Sequence, residues 1–386
     1  MRRIDVAHIT TAHSLLDNRI RRKECAGLVK RGYSVAIVGP GRAEESKAEL
    51  EDGVQVVRLE PPRSGGRLAR AVFGSMRVMR ELLRTNPSAV HAHDPELIPV
   101  LIALRVLRPK IRTIYDAHED LKAQITGKSY IRRNAQPIVT KLASLLLFLV
   151  ERVVGNVVAA TPAIAKTFPN AKNLCIVQNF PLLDEYPEPS DVNDFDTAIY
   201  VGRLSQIRGS RQIVEALDQL NGSVTLSVAG PLDAVTKQII DHKPIGVSYE
   251  GVIGADQVPS FIAKGFAGLV LFQPHPNHIE SQPTKLFEYM ASGRPFIASN
   301  YPHWINLMGG EECGLFVDPL DAGQIANALQ LLSSDKEMTR RLGSTGRRLI
   351  IEKFSFEPEL ATLSKFMTGL GIFPGAEQGV HEGSAE

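Results

Sequence analysis

The chain alternates short apolar runs with longer segments whose apolar residues recur every three or four positions. Ile4 to Ile9 reads as a first strand, Thr10 to Asn18 as a loop, and Arg19 to Arg31 as a helix that Gly32 ends before a second strand, Val35 to Val38. Val54 to Leu59, Ala89 to His93, Arg112 to Tyr115 and Asn156 to Ala160 continue as strands. Arg67 to Arg84 and Pro137 to Glu151 intervene as helices, and Thr161-Pro162 opens another. Leu183 to Phe195 is rich in Pro and Asp, carries no apolar period, and reads as a linker. The rhythm then resumes with strands at Thr197 to Val201, Val224 to Val228, Val247 to Gly251 and Gly268 to Phe272. Helices follow at Gln324 to Leu332, Lys336 to Lys353 and Phe354 to Leu370. Strand–helix alternation of this kind predicts an α/β chain with doubly wound parallel sheets.

Within the second half, Glu280 to Asn300 reads as a loop, a helix and a buried strand. Pro283 suits a first helical turn, Leu286, Phe287, Met290 and Ala291 form its apolar stripe, and Gly293 stops it. Phe296-Ile297-Ala298 is the strand. Two carboxylates, Glu280 and Glu288, flank the helix start, where free N–H groups, the Thr284 hydroxyl and the Lys285 ammonium offer a seat for an anion, most naturally a phosphate. A phosphate seat between two carboxylates suits a sugar nucleotide, since carboxylates accept hydrogen bonds from hydroxyls.

Other polar groups stand at strand ends, where doubly wound sheets bind ligands. His91 and His93 share one face of their strand, which ends in Asp94. A metal reading of His91, His93 and Asp94 rests on an isolated H-x-H and is set aside in favour of a ligand-side role for His93 and Asp94. The next strand ends in Asp116-Ala117-His118-Glu119. The first loop is not glycine-rich, so a dinucleotide fingerprint is absent. Asp17 can cap the helix that follows.

These motifs together resemble the retaining glycosyltransferases of the GT-B fold, especially family 4. Glu280, seven residues, Glu288, then a helix, Gly-Arg-Pro and an apolar strand is similar to the family signature. Gly202-Arg203-Leu204 followed by Arg208-Gly209 resembles its Gly-Arg-Leu…Lys-Gly motif, with Arg in place of Lys. Ser281-Gln282-Pro283 departs from the usual small residues and shifts anion binding onto the Thr284 and Lys285 amides. His13…Asp17-Asn18-Arg19-Ile20 and Asp116-x-His118-Glu119 resemble a subset often used in polysaccharide assembly.

The resemblance implies two Rossmann-like domains facing each other across a cleft that holds the active site. Their expected bounds are 1–180 with a closing helix 354–370, a linker 181–196, a donor domain 197–353 and a disordered tail 371–386. It implies a nucleotide-diphosphate sugar donor, a saccharide or lipid-linked hydroxyl acceptor, retention at the anomeric carbon, and a role in cell-envelope or exopolysaccharide assembly. Arg203 and Arg208 would stabilise the leaving diphosphate, Glu280 would hold donor-sugar hydroxyls, and Glu288 the ribose. Gly202, Thr284, Lys285 and the Ile253 segment would complete the donor site, His118 would stand near the transferred sugar, and His93, Asp94, Asp17 and Arg19 would serve the acceptor. No metal or other cofactor is expected, and no nucleic-acid partner. Two other readings are a sugar-nucleotide epimerase of the same fold and a non-catalytic nucleotide-sugar-binding subunit.

Composition adds a location. Of 44 basic and 42 acidic residues in 386, residues 1–180 hold 29 and 16, net +13, and residues 181–386 hold 15 and 26, net −11. Arg67, Arg70, Arg77, Arg80 and Arg84 recur at near-helical spacing, so the basic half is expected to meet an anionic membrane surface. The longest apolar run, Leu145 to Val150, is too short to span a bilayer, and no signal segment is read at the N-terminus. The three cysteines, Cys25, Cys175 and Cys313, match no metal or disulfide spacing. A cytoplasmic protein, peripheral on the inner membrane face, is expected.

Overall fold

The computed structural model describes residues 3–41, 48–60, 67–118, 121, 136–242 and 244–375. Glu119, the side chains of Arg67 and Arg70, and the tail beyond 375 lie outside the described residues. The chain divides into two compact units, Met1–Gln178 with Glu357–Glu386, and Asn179–Phe356.

The first unit is built on β1 (Val6–Ile9), β2 (Val35–Pro40), β3 (Ala48–Glu51), β4 (Val54–Leu59), β5 (Ala89–Ala92), β6 (Arg112–Ala117), β7 (Asn156–Ala159) and β8 (Asn173–Ile176). Their order is β3-β4-β2-β1-β5-β6-β7-β8, parallel except for β3, which runs antiparallel to β4. The chain moves outward from β1 through β2, then returns to add β5 on β1's other side. The switch point therefore lies between β1 and β5, where such sheets open a crevice.

Side-chain alternation gives this sheet two different faces. Ala7, Ile9, Val38, Val90 and Ala92 join the apolar core with Val78 and Leu82 of the helix Arg67–Thr85 and Leu101 of the helix Ile98–Leu107. On the opposite face His8 of β1 stands beside His91 of β5 in register, with His93 two residues further on. The segment Asn18–Cys25 crosses this face as a stretch of π-helix and continues as the helix Ala26–Lys30. The closing helix Phe356–Gly369 packs on it, with Leu360 filling the place of the missing Gly27 side chain. Tyr33 donates from its hydroxyl to the Ser364 carbonyl at 3.4 Å, and Arg112 to that of Leu370 at 3.0 Å.

The second unit has β9 (Thr197–Val201), β10 (Thr225–Ala229), β11 (Val247–Tyr249), β12 (Gly268–Val270), β13 (Phe296–Ser299) and β14 (Gly314–Val317). They are ordered β11-β10-β9-β12-β13-β14, all parallel, with the switch point between β9 and β12. Both faces are apolar, as a sheet buried on two sides requires. Ile199, Val201 and Val270 pack into one cluster; Ala198, Tyr200, Leu269 and Leu271 into the other.

The stretch read as a linker is part of this unit. Tyr186 enters one cluster, Val192 and Phe195 the other, around a 3-10 turn at Leu183–Glu185. Aperiodic apolar residues predict no element, yet each large side chain buried contributes about 1.5–3 kcal/mol, enough to pin irregular backbone.

One glycine ties the helix Thr284–Ala291 to the sheet. The Tyr289 ring lies flat where a Gly268 side chain would stand, and the Val201 N–H donates to the Tyr289 hydroxyl at 3.1 Å. Tyr289 is fully buried, so its ring has no room to retreat. Gly268→Ala is expected to lower stability by about 1–3 kcal/mol through overpacking, read from the urea midpoint at unchanged slope. A change within ~0.3 kcal/mol would mean the ring is not held there.

Candidate active site

In the second unit, polar groups gather at the C-terminal end of β9, beside the switch point. β9 delivers the chain to Gly202, whose φ of +92° suits glycine, and then to Arg203. A side chain at Gly202 would meet the Lys285 stem, and one at Gly230 would strike the Gly202 backbone. Glycine is thus required twice where the turns after β9 and β10 close over Lys285.

Lys285 is nearly buried, on the first turn of the helix Thr284–Ala291. Its Nζ donates to the Tyr200 hydroxyl at 3.0 Å and lies 4.2 Å from that ring's centre. The Tyr200 hydroxyl in turn donates to the Arg203 carbonyl at 2.9 Å. No carboxylate pairs with this ammonium among the described residues. Burial, followed by the Arg208 charge, pushes the Lys285 pKa down to about 7. Arg208 donates to the Arg203 carbonyl at 3.0 Å and stacks on Phe272 at 5.2 Å. Arg203 itself is exposed. The Lys285 and Arg208 side chains, the Arg203 backbone and a helix N-terminus without a side-chain cap therefore share one neighbourhood.

The two glutamates differ in setting. Glu280 is exposed at the end of the short helix Pro276–Ile279, while Glu288 is half-buried one helical turn beyond Thr284 and Lys285. Pro283 stands at the N-cap position rather than inside the first turn. Ile253 packs partly against the core after β11, and the Gly230 N–H donates to the Gly251 carbonyl at 2.7 Å.

The first unit holds a second polar group at the β1/β5 switch point. Asp94 accepts from the Thr10 hydroxyl at 2.7 Å, the Thr11 N–H at 2.6 Å and the Ala12 N–H at 3.1 Å, and pairs with His13 at 2.7 Å. Burial opposes its charge, but His13 and the Thr10 hydroxyl hold its carboxyl well below the usual range. Asp94 thus fastens the loop after β1 and leaves half-buried His13 outermost. Asp17 caps the next segment through the Arg19 and Ile20 N–H groups at 2.9 and 3.0 Å.

Arg19, assigned to the acceptor from sequence, is placed inside. It is 6% exposed and reaches the Val177 carbonyl at 2.8 Å, Asp116 at 3.3 Å and Glu24 at 3.1 Å. Asp116 also lies 3.4 Å from His91, 3.3 Å from His93 and 3.3 Å from His118. The rings of His8, His93 and His118 form a chain, with nitrogens 2.9 and 3.2 Å apart. Burial lowers the pKa of His93 to about 3 and of His118 to about 4, so both are neutral. Burial and neighbouring Asp116 raise the Glu24 carboxyl well above its usual range. Against its own burial, the Arg19 charge holds the Asp116 carboxyl well below its usual range. One guanidinium cannot neutralise two buried carboxylates, and the one with more donors keeps the charge. His118, half-buried, is the member nearest the surface.

Sequence reading missed His8 and Glu24. His8 stands in a strand whose other residues are apolar, and Glu24 on a segment whose π winding no spacing rule anticipates. The alignment of His8 with His91 needs the register of two strands 80 residues apart, which the chain order alone does not give.

The buried ammonium generates a stability test. A lysine whose folded pKa is depressed costs stability where the unfolded chain is protonated and the folded one is not, so stability rises with pH from about 7 toward 10.5. Lys285→Met keeps the volume, and the Tyr200 hydroxyl keeps the Arg203 carbonyl as partner. The variant is expected to be about 1–4 kcal/mol more stable at neutral pH, with the gain shrinking as pH rises toward 10. A loss of stability at neutral pH in denaturant titrations would show that the lysine is not desolvated.

The chain is similar to known proteins in both halves. The family model described as Glycosyl transferases group 1 matches residues 184–349, and Glycosyl transferase 4-like domain matches residues 18–172. Alpha-D-kanosaminyltransferase of Streptomyces kanamyceticus is 24% identical over 195 residues, 49% of each chain. MMP alpha-(1->4)-mannosyltransferase of Mycolicibacterium hassiacum is 37% identical over 84 residues, 21% of this chain and 20% of that one. The chain thus spans about half the length of the first of these curated relatives and a fifth of the second. Among solved structures, sucrose-phosphate synthase of Thermosynechococcus elongatus superposes with a TM-score of 0.77 at 18% identity, covering 95% of this chain and 98% of that one. Anabaena HepE in complex with UDP and glucose gives 0.70 at 15% identity, covering 95% and 99%. With both halves matched and the fold shared, the chain belongs to the family 4-like glycosyltransferases of the GT-B fold.

Proposed function

We propose that the protein transfers a sugar from a nucleoside-diphosphate donor to a hydroxyl acceptor with retention of anomeric configuration. The observation that carries this reading is the gathering of Gly202, Arg203, Arg208, Lys285 and the helix N-terminus at one switch point. Its chemistry suits a diphosphate whose negative charge grows as the anomeric bond breaks. The solved HepE complexes, named with UDP and with UDP-glucose, add support by analogy.

In this proposal Arg203, Arg208 and Lys285 balance the departing diphosphate without a metal ion. Glu280 holds donor-sugar hydroxyls, Glu288 the ribose hydroxyls, and the Ile253 segment borders the base. The anomeric carbon–oxygen bond breaks, the acceptor oxygen adds from the same face, and the leaving phosphate oxygen takes the acceptor proton. The first unit is assigned to the acceptor: His118 and His13 are its most outward groups, and Asp94, Asp17 and Arg19 fix the backbone and carboxylate that hold them. His93 keeps the His118 ring in place.

The two glutamates separate this reading from a non-catalytic one. Glu280→Gln is expected to cut transfer by about 10²–10³-fold while calorimetry with bare UDP shows unchanged affinity. Glu288→Gln is expected to weaken UDP binding itself by about tenfold, as loss of a charged hydrogen bond does. Equal effects of both substitutions on UDP binding would overturn the assignment.

We further propose that the acceptor is met at an anionic membrane surface, in cell-envelope or exopolysaccharide assembly. No helix among the described residues is long and apolar enough to cross a membrane. On the helix Arg67–Thr85, exposed Arg77, Arg80 and Arg84 stand among exposed Val72, Phe73 and Met76. A second helix, Gln136–Leu149, exposes Ile138, Leu142, Leu145 and Phe148 along one stripe. Basic residues near anionic lipid contribute about 1 kcal/mol each, and exposed apolar ones can enter the headgroup boundary. Flotation with phosphatidylserine vesicles is expected at low salt and to fall as salt rises. Replacing Arg77 and Arg80 by Gln should weaken it without changing UDP affinity. Absence of wild-type flotation at low salt would favour a soluble acceptor.

A further inference from the structure

The polar face of the first sheet carries a second chemistry, unrelated to the donor seat. We propose that His8, Glu24, His91 and His93 form a binding site for a divalent transition-metal ion of the zinc type. One ligand atom from each of the four lies within 4.8 Å of every other. His8 Nδ1 is 2.9 Å from His93 Nε2 and 3.9 Å from Glu24 Oε2, and His91 Nδ1 is 3.9 Å from the same Glu24 oxygen. Zinc–ligand bonds of about 2.0–2.2 Å place tetrahedral ligands roughly 3.3–3.5 Å apart. The separations, from 2.9 Å to at most 4.8 Å, bracket that spacing.

The surroundings are those of a supported site. Metal-bound histidines usually donate their second ring N–H to a carboxylate, which sets the tautomer and aims the first nitrogen at the ion. Here Asp116 Oδ2 faces His91 Nε2 at 3.4 Å and His93 Nδ1 at 3.3 Å, so the opposite nitrogens are those turned toward Glu24 and His8. Arg19 Nε stands 3.1 Å from Glu24 Oε1, leaving Oε2 for the ion. Glu24 Oε2 and His91 Nδ1, the atoms left for the ion, have no hydrogen-bond partner meeting ordinary geometry among the described residues, though both side chains are fully buried. Buried polar groups left this way are costly, and an ion would satisfy them.

Charge and ligand type select the ion. Three imidazoles and one carboxylate suit zinc and its neighbours, whereas magnesium and calcium prefer all-oxygen shells. A divalent ion would offset Glu24 and Asp116 jointly, which Arg19 alone does not. Binding would displace the proton shared between His8 and His93. The ion would join β1, β5 and the π-wound segment, fixing the platform that carries His118. Asp94, the third member of the metal reading made from sequence, is not among these ligands, being taken up by Thr10, Thr11 and His13.

The test is metal content and spectroscopy on the full chain, purified without an immobilised-metal step. After equilibration with micromolar zinc and buffer exchange, about one zinc per chain is expected, with a raised thermal midpoint that a strong chelator reverses. Cobalt in its place is expected to give the intense visible bands of a tetrahedral site. His8→Leu should abolish stoichiometric binding, and Asp116→Asn should weaken it by about 10–100-fold while the site persists. If His8→Leu does not fold, the wild-type cobalt spectrum decides. Wild-type protein that takes up no stoichiometric zinc, gives only weak octahedral cobalt bands, or binds equally well after His8→Leu overturns the proposal.

Discussion

A buried lysine amine held against a phenol, with no carboxylate in salt-bridge contact among the described residues, is the constraint around which the second unit is arranged. Lys285 can lie there only because Gly202 and Gly230 lack side chains, because Tyr200 offers its ring and hydroxyl, and because Tyr289 locks the helix onto β9. Each of these features costs stability or conformational freedom when taken alone. Together they hold a desolvated amine, its pKa lowered to about 7, at the crevice end of the sheet, where a bound anion would favour its charged form. The Arg208 charge lies close enough to depress the Lys285 pKa further.

The first unit solves a different electrostatic problem. Two buried carboxylates share one arginine, and four histidines crowd around them. Charge settles on Asp116, which has the most donors, while burial lowers the pKa of His8, His93 and His118. A network of this kind has few alternative arrangements, since moving one ring breaks the next contact. That rigidity fixes His118 at the edge of the sheet and the loop 10–18 beside it.

Much of this was legible in the chain. Apolar runs of four to six residues at regular intervals announced both parallel sheets, and the turn after β9 and the helix start after Glu280 marked the second switch point. What sequence left out depends on register and winding. His8 reads as one polar residue in an apolar strand until β1 and β5 align, and Arg19 reads as an acceptor-side group until the π turn carries it inward. Asp94, adjacent to His93, is drawn to the Thr10 loop instead because three donors there outweigh its neighbour. Residues 181–196 looked like a linker because irregular backbone has no period, although its aromatics are core. The short antiparallel β3, with the sequence Ala-Glu-Leu-Glu, gave too little pattern to be read.

The account turns on Lys285 being neutral until an anion arrives, and protons report this directly. Near pH 8 a lysine with a pKa of about 7 is mostly uncharged, and a bound diphosphate would raise that pKa and draw in a proton. Calorimetry of UDP binding in buffers of differing ionisation enthalpy should therefore show uptake approaching one proton per site at that pH, and none in Lys285→Met. Binding with no proton uptake by the wild-type protein, at an affinity that Lys285→Met leaves unchanged, would contradict the central role given to this residue.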